Sequence, residues 1–150
     1  EAVTRGEIRN LVINMPPRHM KSMLVCVFWP VWVWTTNPSA RWLYSSYAQT
    51  LSIRDSLKCR RIVESSWYKS LWPEMRLALD QNQKARFENS ATGYRVSTSV
   101  GGAATGEGGD FIVCDDPHKV GDSDSQRVRE QVLNWWSEEM STRGNDPKCS

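Results

Sequence analysis

The chain has 150 residues, a formal net charge of +2 at pH 7 and four cysteines. This length corresponds to one ordinary domain with room for a substantial hydrophobic core. The net charge is too small to indicate a nucleic-acid partner by itself, so any contact with DNA requires a local basic surface.

The cysteines, Cys26, Cys59, Cys114 and Cys149, do not have the spacing of metal ligands. Cys26 and Cys114 lie in apolar runs, which is typical of reduced thiols in a core. No signal peptide is visible, and the apolar segment 23–34 is too short to cross a bilayer. We therefore expect a protein of the cell interior that does not enter a membrane.

The first element is a short apolar run, Leu11–Met15, followed by a compact loop and then by Lys21 and Ser22 at the start of a second apolar segment. A buried strand, a turn and a helix start in this order are typical of a phosphate-binding loop, because the free N–H groups of a helix N-terminus attract anions. We predict that Lys21 contacts the outer phosphates of a nucleotide and that Ser22 gives its hydroxyl to Mg²⁺. The match to G-x-x-x-x-G-K-[ST] is imperfect, since Met15 and Met20 stand where that motif has glycine.

The second apolar segment, Lys21 to about Trp34, is predicted to be a helix that is apolar nearly all round and therefore buried against a sheet. Pro30 should kink this helix or end it early. The segment holds three tryptophans, Trp29, Trp32 and Trp34. Packing is the expected role for them, because a platform for stacking bases must be exposed.

The next elements are a strand over Arg41–Tyr47, rich in aromatic residues, and a helix over Gln49–Glu64, where apolar residues recur at helical spacing. The other side of this helix is basic, with Arg54, Lys58, Arg60 and Arg61. These charges are typical of a solvated helix face, and a surface that faces DNA is the alternative.

Residues 65–79 are predicted to form a short helix and a loop at the edge of the sheet. A hairpin is expected next, because two alternating segments, Arg86–Asn89 and Tyr94–Thr98, flank Ala91–Gly93. It should add antiparallel strands that are half-buried. The glycine-rich segment Gly101–Gly109 is either a passive flexible loop or a loop that contacts phosphate or DNA.

A second candidate motif follows this loop. The four apolar residues Phe111–Cys114 are predicted to form a strand buried on both faces, and Asp115 and Asp116 come directly after it. Ligands bind at the carboxyl ends of parallel strands, and paired acids there can hold Mg²⁺ and orient an attacking water. The chain then continues into an amphipathic helix over Gln126–Thr142.

Four segments together resemble a known family: Pro-Pro-Arg-His-Met-Lys-Ser (16–22), Ser-Ile-Arg-Asp-Ser (52–56), Gly-Gly-Ala-Ala-Thr-Gly-Glu-Gly-Gly-Asp (101–110) and Cys-Asp-Asp-Pro-His (114–118). The combination is similar to the large terminase subunit of tailed bacteriophages, the ATP-driven motor that packs DNA into the procapsid. The resemblance implies an α/β fold of the P-loop NTPase type, with a mainly parallel central sheet flanked by helices and a β-hairpin insertion. Residues 1–150 would be the ATPase domain, which a metal-dependent nuclease domain follows in the family.

The resemblance also implies ATP and Mg²⁺ as cofactors and assigns roles by matching position. The loop that would hold the phosphates comprises Pro17, Arg18, His19, Met20, Lys21 and Ser22. Arg18 would reach the γ-phosphate and, with Lys21 and Asp116, act in catalysis. Ser22 and Asp115 would hold the Mg²⁺. Asp116 would polarise the attacking water, although the broader relatives of the family use the longer Glu for this role.

The partners implied are double-stranded DNA, the portal protein and the small terminase subunit, with a homo-oligomeric ring as the assembly and the host cytoplasm, at the procapsid portal, as the location. The adenine-binding segment, the coupling strand and the nuclease domain are missing from these 150 residues, so we expect a piece of a longer protein that is a weak ATPase alone. Two other functions stay open: another P-loop DNA motor such as a helicase, and a module that binds nucleotide or DNA without turnover.

Overall fold

The structure, a computed structural model, describes residues 1–102 and 106–145, and for residues 79–82 and 123 it describes the backbone alone. The helices are α1 (Trp29–Trp34), α2 (Gln49–Glu64), α3 (Ser66–Leu71) and α4 (Gln126–Trp135). A π-helical segment, Met23–Phe28, leads into α1, and another, Trp136–Met140, continues α4. The strands are β1 (Trp42–Ser46), β2 (Leu77–Asn82), β3 (Arg86–Asn89), β4 (Tyr94–Ser99) and β5 (Phe111–Cys114).

The five strands form one mixed sheet in the order β2-β3-β4-β1-β5. β1 is parallel to both of its neighbours, β4 and β5, whereas β3 is antiparallel to β2 and β4. The predicted α/β class and the antiparallel hairpin are therefore confirmed. The prediction of a mainly parallel sheet holds only around β1, because β2 adds a second antiparallel pairing outside the hairpin.

Strand β1, which lies between β4 and β5, is buried on both faces, as expected for a parallel strand covered by helices. Trp42 and Tyr44 pack on one face, in a core shared with α1, α2 and the π-helical segment before α1. Leu43 packs on the other face against Trp135 and Met140, at the end of α4 and in the segment after it. The sheet thus lies between two helical layers, and its carboxyl edge is accessible between them.

The predicted first strand, Leu11–Met15, is not a strand in the structure. Its residues are exposed, Val12 to 92 %, and among the described residues no strand pairs with them. An apolar run predicts a strand only where backbone partners and burial are available, and neither is present here. The adjoining loop nevertheless delivers the chain to a helix start at Lys21, as predicted.

Pro30 does not end the helix that begins at Lys21; it marks the change from π-helical to α-helical geometry. The Trp29 N–H bonds to the Leu24 carbonyl, five residues back. In the same pattern the Val25 carbonyl would need the N–H of residue 30, which proline lacks. The Tyr44 hydroxyl donates to that carbonyl instead, at 3.0 Å, and fastens the helix to the sheet.

The prediction that this helix is buried nearly all round is wrong on one side. Leu24, Phe28 and Trp32 follow one another at four-residue spacing and are 40–49 % exposed. Trp34 is buried, and Trp29 packs edge-on against the Trp42 ring at 5.2 Å between centroids. Packing is therefore confirmed for two of the three tryptophans of this helix.

The predicted helix Gln49–Glu64 is confirmed with the same bounds, and the last predicted helix runs as helical turns from Gln126 to Arg143. Within residues 65–79 the predicted short helix forms as α3, but β2 begins at Leu77, which the sequence did not predict. In the described part of the chain, no helix is both long and apolar enough to cross a membrane. Residues 103–105 of the glycine-rich loop and Cys149 lie outside the described residues.

Asn89 and Gly93 fix the β3–β4 hairpin. The buried Asn89 amide donates to the Pro38 carbonyl at 2.8 Å, and its oxygen accepts from the N–H groups of Ala91 and Gly93. Gly93 lies so close to the preceding loop that a Cβ there would be 2.1 Å from the Pro38 oxygen.

We expect Gly93→Ala to destabilise the chain by about 1–3 kcal/mol, because the new methyl group forces the hairpin away from the loop before β1. Urea unfolding measures the change. Gly144→Ala is the matched control, since that site has φ −63° and open space around it, and its effect should stay within about 0.5 kcal/mol. Equal effects of the two substitutions would contradict this account of the hairpin.

Candidate functional site

The paired acids lie at the carboxyl edge of the sheet, just beyond β5. The Asp115 N–H donates to the Ser45 carbonyl at 2.9 Å, and the Tyr47 N–H donates to the Asp116 carbonyl at 3.1 Å. These bonds extend the β1–β5 pairing and fix both acids against the end of β1. Asp116 has φ +47°, a left-handed conformation that is uncommon for residues other than glycine and that clusters at functional sites.

The helix that begins at Lys21 contacts these acids through its first two residues, although the acids lie more than 90 residues later in the sequence. The Ser22 hydroxyl donates to Asp115 Oδ2 at 2.6 Å. The Lys21 ammonium lies 3.3 Å from Asp115 Oδ1 and also hydrogen-bonds to Asp116 Oδ1. The two predicted motifs therefore form one cluster, which we call the Lys–Ser–Asp–Asp cluster (Lys21, Ser22, Asp115 and Asp116).

Opposing influences act on the pKa of Lys21. Partial burial lowers this pKa, but the hydrogen bond to Asp116 and the charges of both acids outweigh burial, so the net pKa is raised above its ordinary value. A raised pKa keeps the ammonium protonated as pH rises through the neutral range. Lys21 therefore contributes a positive charge to the cluster throughout the physiological pH range.

The loop before the cluster carries the remaining predicted phosphate ligands, Pro17, Arg18, His19 and Met20, and all four are exposed. The His19 Nδ1–H donates to the Pro17 carbonyl at 2.9 Å. Arg18 and Met20 have positive φ, +66° and +61°. Met20 stands at a glycine position of the usual motif and has a conformation that glycine adopts without strain. Arg18 takes no part in the contacts of the cluster, and the phosphate roles of these four residues stay predictions.

A cavity of about 230 Å³ adjoins the cluster and extends between β1, α2 and the helical turns that begin at Lys21. It is sufficient for a phosphate group but smaller than usual pockets for whole ligands. Its walls include Ser22, Asp115 and Asp116 at one end, and Asp55 and Arg95 elsewhere.

The sequence did not identify Asp55 as a site residue, although it belongs to the segment 52–56. This carboxylate is 3 % exposed and has two cationic partners, Arg54 at 3.0 Å and Lys58 at 3.1 Å. Arg60, on the same helix, pairs with Glu64 at 3.3 Å. Much of the predicted basic face is thus neutralised within α2, and its contact with DNA stays a prediction.

Arg95, on β4, was also missed. It is 0 % exposed, its guanidinium carbon lies 3.7 Å from the centre of the Tyr44 ring, and none of its three nitrogens has a hydrogen-bond partner among the described residues. The sequence predicted a half-buried strand here. β4 is instead buried almost throughout, because it lies between β1 and β3.

The nearby thiols have no features of a nucleophile. Burial raises the pKa of Cys59 to about 11, and burial followed by the charge of Asp115 raises that of Cys26 further. Raised values leave both thiols protonated at neutral pH and unreactive. Cys26 is a free buried thiol, as predicted, and Cys114 is free and half-buried.

The donor set of the cluster suits Mg²⁺ rather than a metal held entirely by protein. Among the residues that the structure describes, no three His, Cys, Asp or Glu side chains are grouped as metal ligands. Ser22 and Asp115 supply two adjacent oxygens, and Mg²⁺ is commonly held by one or two such protein groups together with water and substrate phosphates. The ammonium of Lys21 against the same carboxylates demonstrates that this position accepts positive charge.

No protein-family model matches this chain, and comparison with curated proteins finds no match either.

Proposed function

We propose that this chain binds Mg·ATP at the Lys–Ser–Asp–Asp cluster and hydrolyses it, as the ATPase part of a viral DNA-packaging motor. The observation that carries the proposal is the contact of Lys21 and Ser22 with Asp115 and Asp116 across more than 90 residues of sequence. The cluster brings together the cation, hydroxyl and paired acids that phosphoryl transfer uses for positioning and charge neutralisation.

In this mechanism Lys21 exchanges partners. When a triphosphate arrives, its negative charge competes with the carboxylates for the ammonium, which turns from Asp116 to the outer phosphates. Ser22 and Asp115 are the residues that would hold Mg²⁺, and the ion would supply neutralisation of the phosphate charge.

Release from Lys21 frees Asp116 to accept a hydrogen bond from a water molecule. Its side chain is 59 % exposed, so water can reach it from the open side of the site. Arg18, in the adjoining loop, is the proposed guanidinium that neutralises charge developing on the γ-phosphate.

The assignment to a packaging motor depends on the terminase resemblance of segments 16–22, 52–56, 101–110 and 114–118. The proposed partners are therefore double-stranded DNA, the portal protein, the small terminase subunit and further copies of the chain in a ring, in the host cytoplasm. The P-loop NTPase fold is likewise proposed. The parallel β4-β1-β5 half of the sheet and the acids at its carboxyl edge support it.

Calorimetry with Mg·ATP and Mg·ADP, followed by phosphate release with and without double-stranded DNA, tests this function. We expect binding that is abolished by EDTA, and slow phosphate release that DNA accelerates. Binding without release under any condition would favour a nucleotide-binding module, and strand separation of a duplex would favour a helicase. Absence of nucleotide binding at millimolar concentration would contradict the proposal.

A further inference from the structure

Arg95 is a fully buried cation whose charge has no counterion in the described part of the molecule. All three side-chain nitrogens are covered and unpaired. Burial of an unpaired charge is strongly unfavourable, and a buried polar group without a partner requires an explanation, such as a bound ion. The centre of the Tyr44 ring lies 3.7 Å from the guanidinium carbon and attracts the cation through its π face, but the ring carries no negative charge and is not a counterion.

The carboxylates of the cavity do not supply the missing partner. Asp55 is held by Arg54 and Lys58, at 3.0 and 3.1 Å. Asp115 and Asp116 are both held by Lys21. Arg95 lines the same cavity and forms no ion pair with any of these three acids.

The charges around the cavity therefore do not balance. Two cations, Arg54 and Arg95, and three carboxylates, Asp55, Asp115 and Asp116, line the cavity. Lys21 and Lys58, which are outside the lining, are further ion-pair partners of these acids, and with them four cations face three carboxylates. The excess lies at Arg95, the cation without a carboxylate. A guanidinium is suited to an oxyanion, because its planar fork donates two parallel N–H bonds to two oxygens.

We infer that Arg95 forms an oxyanion subsite in this cavity and that its ligand is a phosphate group. The identification of this group as the terminal phosphate of ATP, or the phosphate released from it, rests on the proposed function; the oxyanion subsite itself does not. The covered nitrogens mean that the phosphate enters only when the side chains at this end of the cavity move apart. If the bound group is the terminal phosphate of ATP, Arg95 contacts a group that a diphosphate lacks and so favours ATP over ADP.

The test compares wild type with Arg95→Met, which keeps the length of the side chain and removes the charge, and with Arg95→Lys. Arg60→Met is the matched control, because it removes the same charge from a guanidinium of α2 that pairs with Glu64 outside the cavity. Calorimetry measures binding of inorganic phosphate, Mg·ATP and Mg·ADP, and thermal unfolding is followed with and without phosphate.

We expect Arg95→Met to weaken phosphate binding at least tenfold and to lose tenfold more affinity for Mg·ATP than for Mg·ADP. Arg95→Lys should bind with intermediate affinity, and Arg60→Met should stay within about twofold of wild type. In buffer without phosphate, Arg95→Met should have a Tm equal to or above that of wild type, since it replaces an unpaired buried charge with an apolar side chain.

Three results would overturn the inference: wild type that does not bind phosphate, Arg95→Met that binds it as wild type does, or a large fall in the Tm of Arg95→Met without phosphate, which would indicate an internal partner. Phosphate binding at Arg95 without Mg·ATP binding would contradict the proposed function but support the oxyanion subsite. Mg·ATP binding that is unchanged in Arg95→Met would support the proposed function but contradict the oxyanion subsite.

Discussion

Replacement of Lys21 by alanine should abolish ATP turnover and leave the fold intact. Lys21 is the cation of the Lys–Ser–Asp–Asp cluster. In the proposed mechanism its ammonium neutralises charge on the transferring phosphoryl group. Loss of one such preorganised contact costs about 10²–10³-fold in rate in well-studied enzymes, and loss of a full charge should cost at least as much. Phosphate release, measured with the longest form of the protein that contains this chain, gives the rate.

Lys69→Ala is the matched control for this experiment, because Lys69 is an exposed lysine of α3. Its turnover should equal that of wild type, and circular dichroism should give the same helix content for both variants. If the Lys21 variant kept turnover within about tenfold of wild type, the assignment of residues 16–22 as a phosphate loop would be wrong.

Asp116→Asn should bind Mg·ATP normally but fail to hydrolyse it. Asparagine has the shape of aspartate and tolerates the left-handed conformation at this position, φ +47°, so the backbone should not move. The amide cannot accept a proton from the attacking water, and loss of a general base lowers rates by about 10²–10⁴-fold. Calorimetry and single-turnover phosphate release separate the two steps.

The companion variant, Asp115→Asn, should be impaired at the binding step rather than at hydrolysis. Asp115 contacts Ser22 at 2.6 Å and is the proposed metal ligand, so its loss should weaken Mg-dependent nucleotide binding itself. If Asp116→Asn lost binding and Asp115→Asn kept it, the roles of the two acids would have to be exchanged.

The elements that were predicted correctly from the sequence are those whose residue pattern is compatible with only one secondary structure. The sixteen-residue helix Gln49–Glu64 has apolar residues at helical spacing, and its bounds were predicted correctly. The hairpin around Ala91–Gly93 was predicted from turn residues between alternating segments. Leu11–Met15 was predicted wrongly, because a short apolar run is compatible with a buried strand and with an exposed segment, and only tertiary contacts decide between them.

The residues of the candidate site likewise divide into those that the sequence predicted and those that it did not. Asp115 and Asp116 were predicted because they follow a strand whose carboxyl end lies at the edge of a parallel sheet. Lys21 and Ser22 were predicted from the loop and helix start of a phosphate-binding motif, although the strand expected before that loop, Leu11–Met15, does not form. Arg95 gave no signal, since an arginine in an alternating strand is ordinarily placed on the solvent face. Its burial follows from the position of β4 between two other strands, which is a property of the whole sheet and not of the segment.

The central claim is that one metal nucleotide contacts both ends of this cluster. Paramagnetic broadening tests it directly, with Mn²⁺ in place of Mg²⁺ and a slowly hydrolysed ATP analogue added to isotope-labelled protein. We predict that the amide signals of Lys21 and Ser22 and those of Asp115 and Asp116 broaden first and together, while that of Asn89 in the hairpin persists. Broadening at only one of the two segments, or at neither, would contradict the account.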